Sequence, residues 1–374
     1  MTITKQKIGF QHVGSFLRPA DLKQARVDFE AGKIDQAALT AVEDKDIREL
    51  VSKEKAAGLD YVTDGEFRRA YWHLDFFWGF NGIEHNHLGG GYNFHKTESR
   101  DDSAIVSGKI SFNPNHPFLK HFAFLKSLTD EIGGVLPKQT IPAPGQLYAE
   151  LVRGENEAKT KEFYPNEADL IADIQKAYHD AIIALYNEGA RTIQLDDCSW
   201  GFFLDKDYVA RSTDQNKYDS LDTPQVLLDL NNGAIENLPD DLTINTHVCR
   251  GNFRSDYIFS GGYDTVADYL FAQENVDTYF LEYDSDRAGG FEPLAKVSGD
   301  KRVVLGLVTT KSPELEDRQV IIDRIKEASQ YLPLDRLWLS TQCGFASTEE
   351  GNELTDEQQW AKLKLVKSII DEIW

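Results

Sequence analysis

The chain has little that could crosslink it and nothing that could span a membrane. Only three of its 374 residues are cysteine, Cys198, Cys249 and Cys343. An odd number, scattered along the second half, excludes a disulfide framework and fits a reducing compartment where thiols are kept for chemistry. No stretch approaches the roughly 20 apolar residues of a membrane span, and the opening MTITKQKIGF lacks the apolar run of a secretory signal. Basic residues are in the minority, 40 Lys plus Arg against 62 Asp plus Glu, for a net charge of −22. Nucleic acids and anionic membrane surfaces are recognised through basic patches, so both are excluded as partners. Also missing are a repeat of roughly 20–50 residues, a low-complexity tract and a Pro/Ser-rich linker that would divide the chain. The expectation is a cytoplasmic protein that works on small molecules, with its oligomeric state open.

What is present is a regular alternation. Eight β-rich runs recur at 8–16, 60–66, 138–145, 191–198, 242–249, 277–284, 302–310 and 337–344. Between them lie amphipathic stretches such as 168–189, with apolar residues at three- and four-residue spacing and a closing Gly189, and 355–374, which opens on Thr355 and Asp356. Eight strand–helix units predict an α/β fold of the TIM-type (β/α)₈ barrel class, for which roughly 250 residues plus insertions suffice. The chain is thus expected to be one barrel over 1–374, with an open doubly wound sheet as the alternative. Two segments break the alternation. Residues 67–115, rich in aromatics, Gly, His and Asn, read as an excursion or small hairpin after the second strand, and 200–222 as a polar loop after the fourth.

Reactive residues gather at the strand ends. The first run ends in Gly14-Ser15, the second in Asp64-Gly65-Glu66, the fourth in Asp196-Asp197-Cys198, the fifth in His247-Val248-Cys249. The sixth ends in Glu282-Tyr283-Asp284, the seventh in Thr309-Thr310-Lys311 and the last in Gln342-Cys343-Gly344. Strand interiors disfavour unpaired polar groups, so such endings point to a shared pocket. Residues i and i+2 of a strand face one side, so the His247 imidazole and Cys249 thiol converge. With Glu282 and Cys343 they make a mixed nitrogen, sulfur and oxygen set suited to tetrahedral Zn²⁺. The plain alternative is two buried thiols and a satisfied core histidine. Cys198 is a further candidate ligand of undetermined direction, and His85, His87 and His95 form a competing donor set in the excursion, whose Gly-rich, unframed loop favours reading them as surface polar residues. Two thiolate ligands favour activation of a bound thiol over activation of water. Glu66, Asp196 and Asp197 either cap the following helices or hold a substrate ammonium group, and Ser15 offers donors to a carboxylate.

The ordered set HVGSF (12–16), TDGE (63–66), IQLDD (193–197), THVC (246–249), FLEYD (280–284) and QCGFAS (342–347) resembles the catalytic barrel of the cobalamin-independent methionine synthases over nearly the whole chain. The resemblance implies that His247, Cys249, Glu282 and Cys343 hold zinc. It also implies that Ser15, Glu66 and Asp196 bind homocysteine, which accepts a methyl group from 5-methyltetrahydrofolate. Three departures stand out. The family's N-terminal barrel has no counterpart here. Lys311 stands where the family has a histidine held to serve in proton transfer. The Trp that stacks on the pterin shortly after strand three is absent from IPAPGQLYAEL, where Tyr148 is the nearest aromatic. Expected, then, is a methyltransferase of methionine biosynthesis, like the short single-barrel relatives, with Lys311 as a catalytic residue acting electrostatically on the donor side. Its rivals are a zinc alkyltransferase for another thiol, a non-catalytic homocysteine- or folate-binding barrel, and a decarboxylase using Arg18, Arg68, Arg69 and Arg250.

Overall fold

The structure, a computed structural model, describes residues 8–208, 218 and 220–374. Six strands form one parallel sheet in chain order: β5 (Gln139–Pro142), β6 (Thr192–Asp197), β7 (Thr243–Val248), β8 (Thr278–Glu282), β9 (Arg302–Val308) and β10 (Leu337–Thr341). β1 (Tyr61–Val62) pairs in parallel with β4 (Leu136–Pro137). Lys138 alone separates β4 from β5, so one extended segment borders both sheets. The fold is therefore α/β with a parallel sheet, and seven of the eight expected strands are found within or overlapping their predicted runs.

The first expected strand, 8–16, is the exception. It contributes a single parallel bridge, Gln11 to Tyr61, because its backbone groups are satisfied by other means. Phe10 N donates to the Asp60 carboxylate at 2.6 Å, Phe16 N to Gly65 O at 3.1 Å, and the Lys138 ammonium donates to His12 O and Val13 O. No ladder joins β10 to this segment among the described residues, but Phe345 N donates to Ser15 O at 2.8 Å. Ile8, Val13, Phe280 and Val304 also pack as one cluster with Trp338 against it, so the two ends of the strand series are in contact.

Each long helix shows its sequence logic. Asn166 caps Glu167–Asn187, which buries Leu170, Ile174, Ala177, Tyr178, Ala181 and Leu185 at three- and four-residue intervals. Thr355 and Gln358 close a capping box on Asp356–Ile373. No helix among the described residues is long and apolar enough to cross a membrane. The excursion is an antiparallel hairpin of β2 (Asn81–His87) and β3 (Asp102–Ser111), moored by Ser103 Oγ to Glu150 at 2.6 Å and Asn156 Nδ2 to Ala104 O at 3.1 Å. Of the expected polar loop 200–222, a short helix, Gly201–Leu204, is seen; residues 209–217 and 219 lie outside the described residues.

Asn231, on the helix Pro224–Ala234, ties together the end of β6 and two helix termini. Its Nδ2 donates to Asp197 at 2.9 Å and Glu274 at 2.8 Å, and its Oδ1 accepts from Gly145 N at 3.1 Å. Burial, and then the Asp197 charge, push the Glu274 carboxyl up to about 8, against the Asn231 hydrogen bond. A folded-state pKa raised above the unfolded value contributes stability at low pH that is lost as pH rises through it. The midpoint of thermal unfolding is therefore expected to fall between about pH 5 and about pH 8, with a flatter profile for Glu274→Gln; equal slopes in wild type and variant would contradict this.

Candidate active site

The site forms where β6, β7 and β10 end. Register sets Asp196 opposite His247 on the paired strands. His247 Nδ1 lies 3.1 Å from Phe280 O. A carbonyl only accepts, so Nδ1 carries a proton and Nε2 is the ring nitrogen left for a ligand. That Nε2 is buried without a hydrogen-bond partner among the described residues. Cys249 Sγ lies 3.8 Å from Cys343 Sγ and accepts from Gly251 N at 3.2 Å. The donor atoms of His247, Cys249 and Cys343 all fall within 4.8 Å of one another, and all three residues are buried. The Cys198 and Cys343 thiols beside it, helped by His247 and opposed by burial, hold the Cys249 thiol well below its usual range. Burial disfavours a charged His247, yet the neighbouring Cys249, Asp196 and Glu282 raise its pKa above the ordinary value.

Glu282, the last residue of β8, stands outside that group of three. Cations surround its carboxylate: Lys311 Nζ at 3.6 Å, Arg287 at 3.9 Å and Arg250 at 4.0 Å. None hydrogen-bonds the carboxylate, whose two oxygens stay unpartnered among the described residues, although Arg250 donates to the Glu282 backbone oxygen at 3.2 Å. Burial raises its pKa, and the Cys249 charge adds to this while Lys311 and Arg287 oppose it. A buried, unsatisfied carboxylate beside two thiols and an orphaned imidazole nitrogen is a donor set that fits a cation. Lys311 faces this carboxylate.

A solvent-connected cavity with about 960 Å³ of empty space lies above these groups. Ser15, Glu66, Asp196, His247, Cys249 and Cys343 line it, and Glu282 and Lys311 do not. Ser15 Oγ accepts from Ala346 N at 3.1 Å, which leaves its hydroxyl proton for a ligand. Glu66 sits at φ 60°, a left-handed conformation that strains a residue with a side chain. Its Oε1 accepts from Thr140 at 3.0 Å and pairs with Arg69 at 3.4 Å, while Oε2 is buried without a partner among the described residues. Gly14 lies close beside it: a Cβ there would stand 3.0 Å from Glu66 Oε1 and press on that carboxylate. Asp196 accepts from Gln194 Nε2 at 2.7 Å. Burial raises its carboxyl to about 7, against His247 and with Glu66 adding to the rise. Neither Glu66 nor Asp196 caps a helix. Asp197 points elsewhere, accepting from Ser199 N at 2.9 Å and from Asn231. Cys198, half-buried, also lines the cavity and interacts with Cys249.

Two further contributions complete the site, the first of them invisible in local sequence. Lys138 is fully buried and donates to Gln194 Oε1 at 3.0 Å as well as to the carbonyls of His12 and Val13. With its oxygen so engaged, Gln194 must turn its amide nitrogen to Val13 O and Asp196. Lys138 thus orients Asp196 and anchors the segment leading to Ser15, while burial lowers its own pKa to about 7. A lysine opening an apolar strand looks solvated in sequence. The second is the cavity wall supplied by the excursion, where Trp72 stacks on His73 at 4.6 Å with Tyr92 and Phe94 nearby. His73 is buried, its two ring nitrogens unpartnered among the described residues, and burial lowers its pKa to about 4. The aromatic density of 67–115 was the only signal.

These features make the chain an α/β protein whose reactive groups occupy one cavity at the carboxyl edge of a parallel sheet. Residues 156–362 match the family of cobalamin-independent synthase catalytic domains. The uncharacterised YxjH of Bacillus subtilis (strain 168) is 44% identical over 97% of this chain and 94% of its own length. A provisionally assigned vitamin-B12 independent methionine synthase from Listeria monocytogenes is 34% identical in its crystal structure, with a TM-score of 0.75 and 99% of both chains covered. A B12-independent methionine synthase from Shewanella sp. W3-18-1, solved with selenomethionine, shares the fold at a TM-score of 0.69 and 17% identity, with 98% of each chain covered. The chain belongs to the cobalamin-independent methionine synthase family, in its short single-domain form.

Removing one partner of a buried ion pair leaves the other charge uncompensated, at a cost of about 3–5 kcal/mol. Arg69→Met is expected to lose about that much in denaturant unfolding, and adding Glu66→Gln should restore part of it. A loss unchanged by the second substitution would show that Arg69 acts through Thr140 instead.

Proposed function

We propose that this protein is a zinc-dependent methyltransferase that methylates the thiol of homocysteine to give methionine, on a single (β/α)₈ barrel with the hairpin as an insertion. One observation carries the reading: the His247, Cys249 and Cys343 donors share a cavity with Ser15, Glu66 and Asp196. Zinc held by these three, with Glu282 as fourth ligand, would keep a substrate sulfur in the thiolate form at neutral pH. The unpartnered Glu66 oxygen and the Asp196 carboxylate accept from the substrate ammonium group. The Ser15 hydroxyl donates to its carboxylate. Lys138, through Gln194, fixes the direction of Asp196. Lys311 and Arg287 offset the Glu282 charge, so that a site with two thiols and a carboxylate tolerates a further anionic sulfur. Trp72, Tyr92, Phe94, Phe253 and Phe259 form an apolar wall that excludes water and offers flat faces to a ring-bearing methyl donor, 5-methyltetrahydrofolate first among candidates. His73 supplies two free ring nitrogens on that wall. Lys311, facing Glu282, then acts on the acceptor side.

Metal analysis and methionine formation from homocysteine with several methyl donors test this reading. Wild type is expected to hold zinc, and His247→Ala plus Cys249→Ala to lose it; zinc retained in the double variant removes the metal assignment. Asp196→Asn is expected to raise the KM for homocysteine about tenfold, the scale of one charged hydrogen bond. An unchanged KM would point to a thiol substrate without an ammonium group.

A further inference from the structure

The hairpin carries a second set of metal-type donors, away from the thiols. His85 and His87 lie two apart on β2 and present their rings to one face, 4.7 Å apart between centroids. Across the ladder His87 pairs with Asp102. His85 Nε2 lies 2.6 Å from Asp102 Oδ1 and His87 Nδ1 3.8 Å from the same oxygen, while Asp101 Oδ1 is 3.1 Å from His87 Nδ1. The three donor atoms of His85, His87 and Asp102 fall within 4.8 Å of one another.

We propose that His85, His87 and Asp102, with Asp101 beside them, form a surface site for a divalent transition metal of the zinc or nickel type, independent of the cysteine centre. Imidazole and carboxylate together select such ions over calcium or magnesium, which take all-oxygen shells. His85 Nε2 and His87 Nδ1 donate hydrogen bonds to Asp102 and Asp101. A tetrahedral ion with bonds of about 2.1 Å would replace those protons and needs donors about 3.4 Å apart. Small ring rotations reach it, because the His85 and His87 side chains are 47% and 61% exposed. Exposure also leaves room for water to complete the shell. The frame is partly fixed in advance: the Tyr71 hydroxyl donates to the other oxygen of Asp102, and Trp78 packs edge-on against His85 at 4.7 Å. Asp102 and Tyr71 also line the cavity. A metal that draws on Asp102 therefore bears on the cavity wall, and this site could confound zinc stoichiometry.

The test uses tag-free protein dialysed to constant metal content and then titrated with Zn²⁺ or Ni²⁺ by calorimetry. Wild type is expected to take up one further equivalent with micromolar affinity. His85→Gln plus His87→Gln should weaken that uptake at least about tenfold, with unchanged far-ultraviolet circular dichroism. The zinc retained through dialysis should be the same in both proteins, so failure here and failure of the cysteine centre are read separately. No further equivalent in wild type, or equal uptake by the double variant, overturns the proposal.

Discussion

Parallel pairing makes neighbouring strands finish on the same side of a sheet, and a near-level register makes them finish at the same height. Both conditions hold here: Pro142 is paired with Asp196, Asp196 with His247 and Glu282 with Gly306. Segments more than a hundred residues apart thereby deliver their last side chains to one place. Without that level edge, His247, Cys249 and Cys343 would not converge, and neither Ser15 nor Glu66 could share their cavity.

Concentrating acids and thiols at a dry edge is electrostatically costly, and the surrounding cations answer it in two groups. Arg69 and Arg18 act on Glu66, and Lys138 on Asp196. Arg250, Arg287 and Lys311 surround Glu282 without hydrogen bonding to its carboxylate. The first group leaves free carboxylate oxygen directed at the cavity, and the second leaves a carboxylate unsatisfied beside the thiols. Glu66, His247 and Glu282 all keep a buried polar atom without a partner among the described residues, and their gathering with the thiols at one strand edge is what marks a ligand site.

The hairpin has a different relation to the fold. Its mooring through Glu150, Ser103 and Asn156 is structural, while the segment before it sets Trp72 and His73 in the cavity wall. The Trp expected shortly after strand three is absent, and an aromatic wall is nonetheless present, built from another part of the chain. Since the sheet edge sets the side of the cavity with the thiols and carboxylates and the segment around the hairpin sets much of the other, the two halves of the cavity can vary independently.

The sequence by itself determined the strand–helix alternation, the helix caps and the placing of His247, Cys249 and Asp196 at or just past strand ends, because periodicity and i, i+2 geometry are local properties. Tertiary structure alone decided what those residues face. The 8–16 segment reads as a strand yet makes one bridge, since the Lys138 ammonium and the Asp60 carboxylate take up its backbone groups. Lys311 turned out to meet Glu282, and Lys138 to orient Asp196 through Gln194. Those are contacts between residues distant in the chain, and a side chain's partner across space leaves no periodic trace along it.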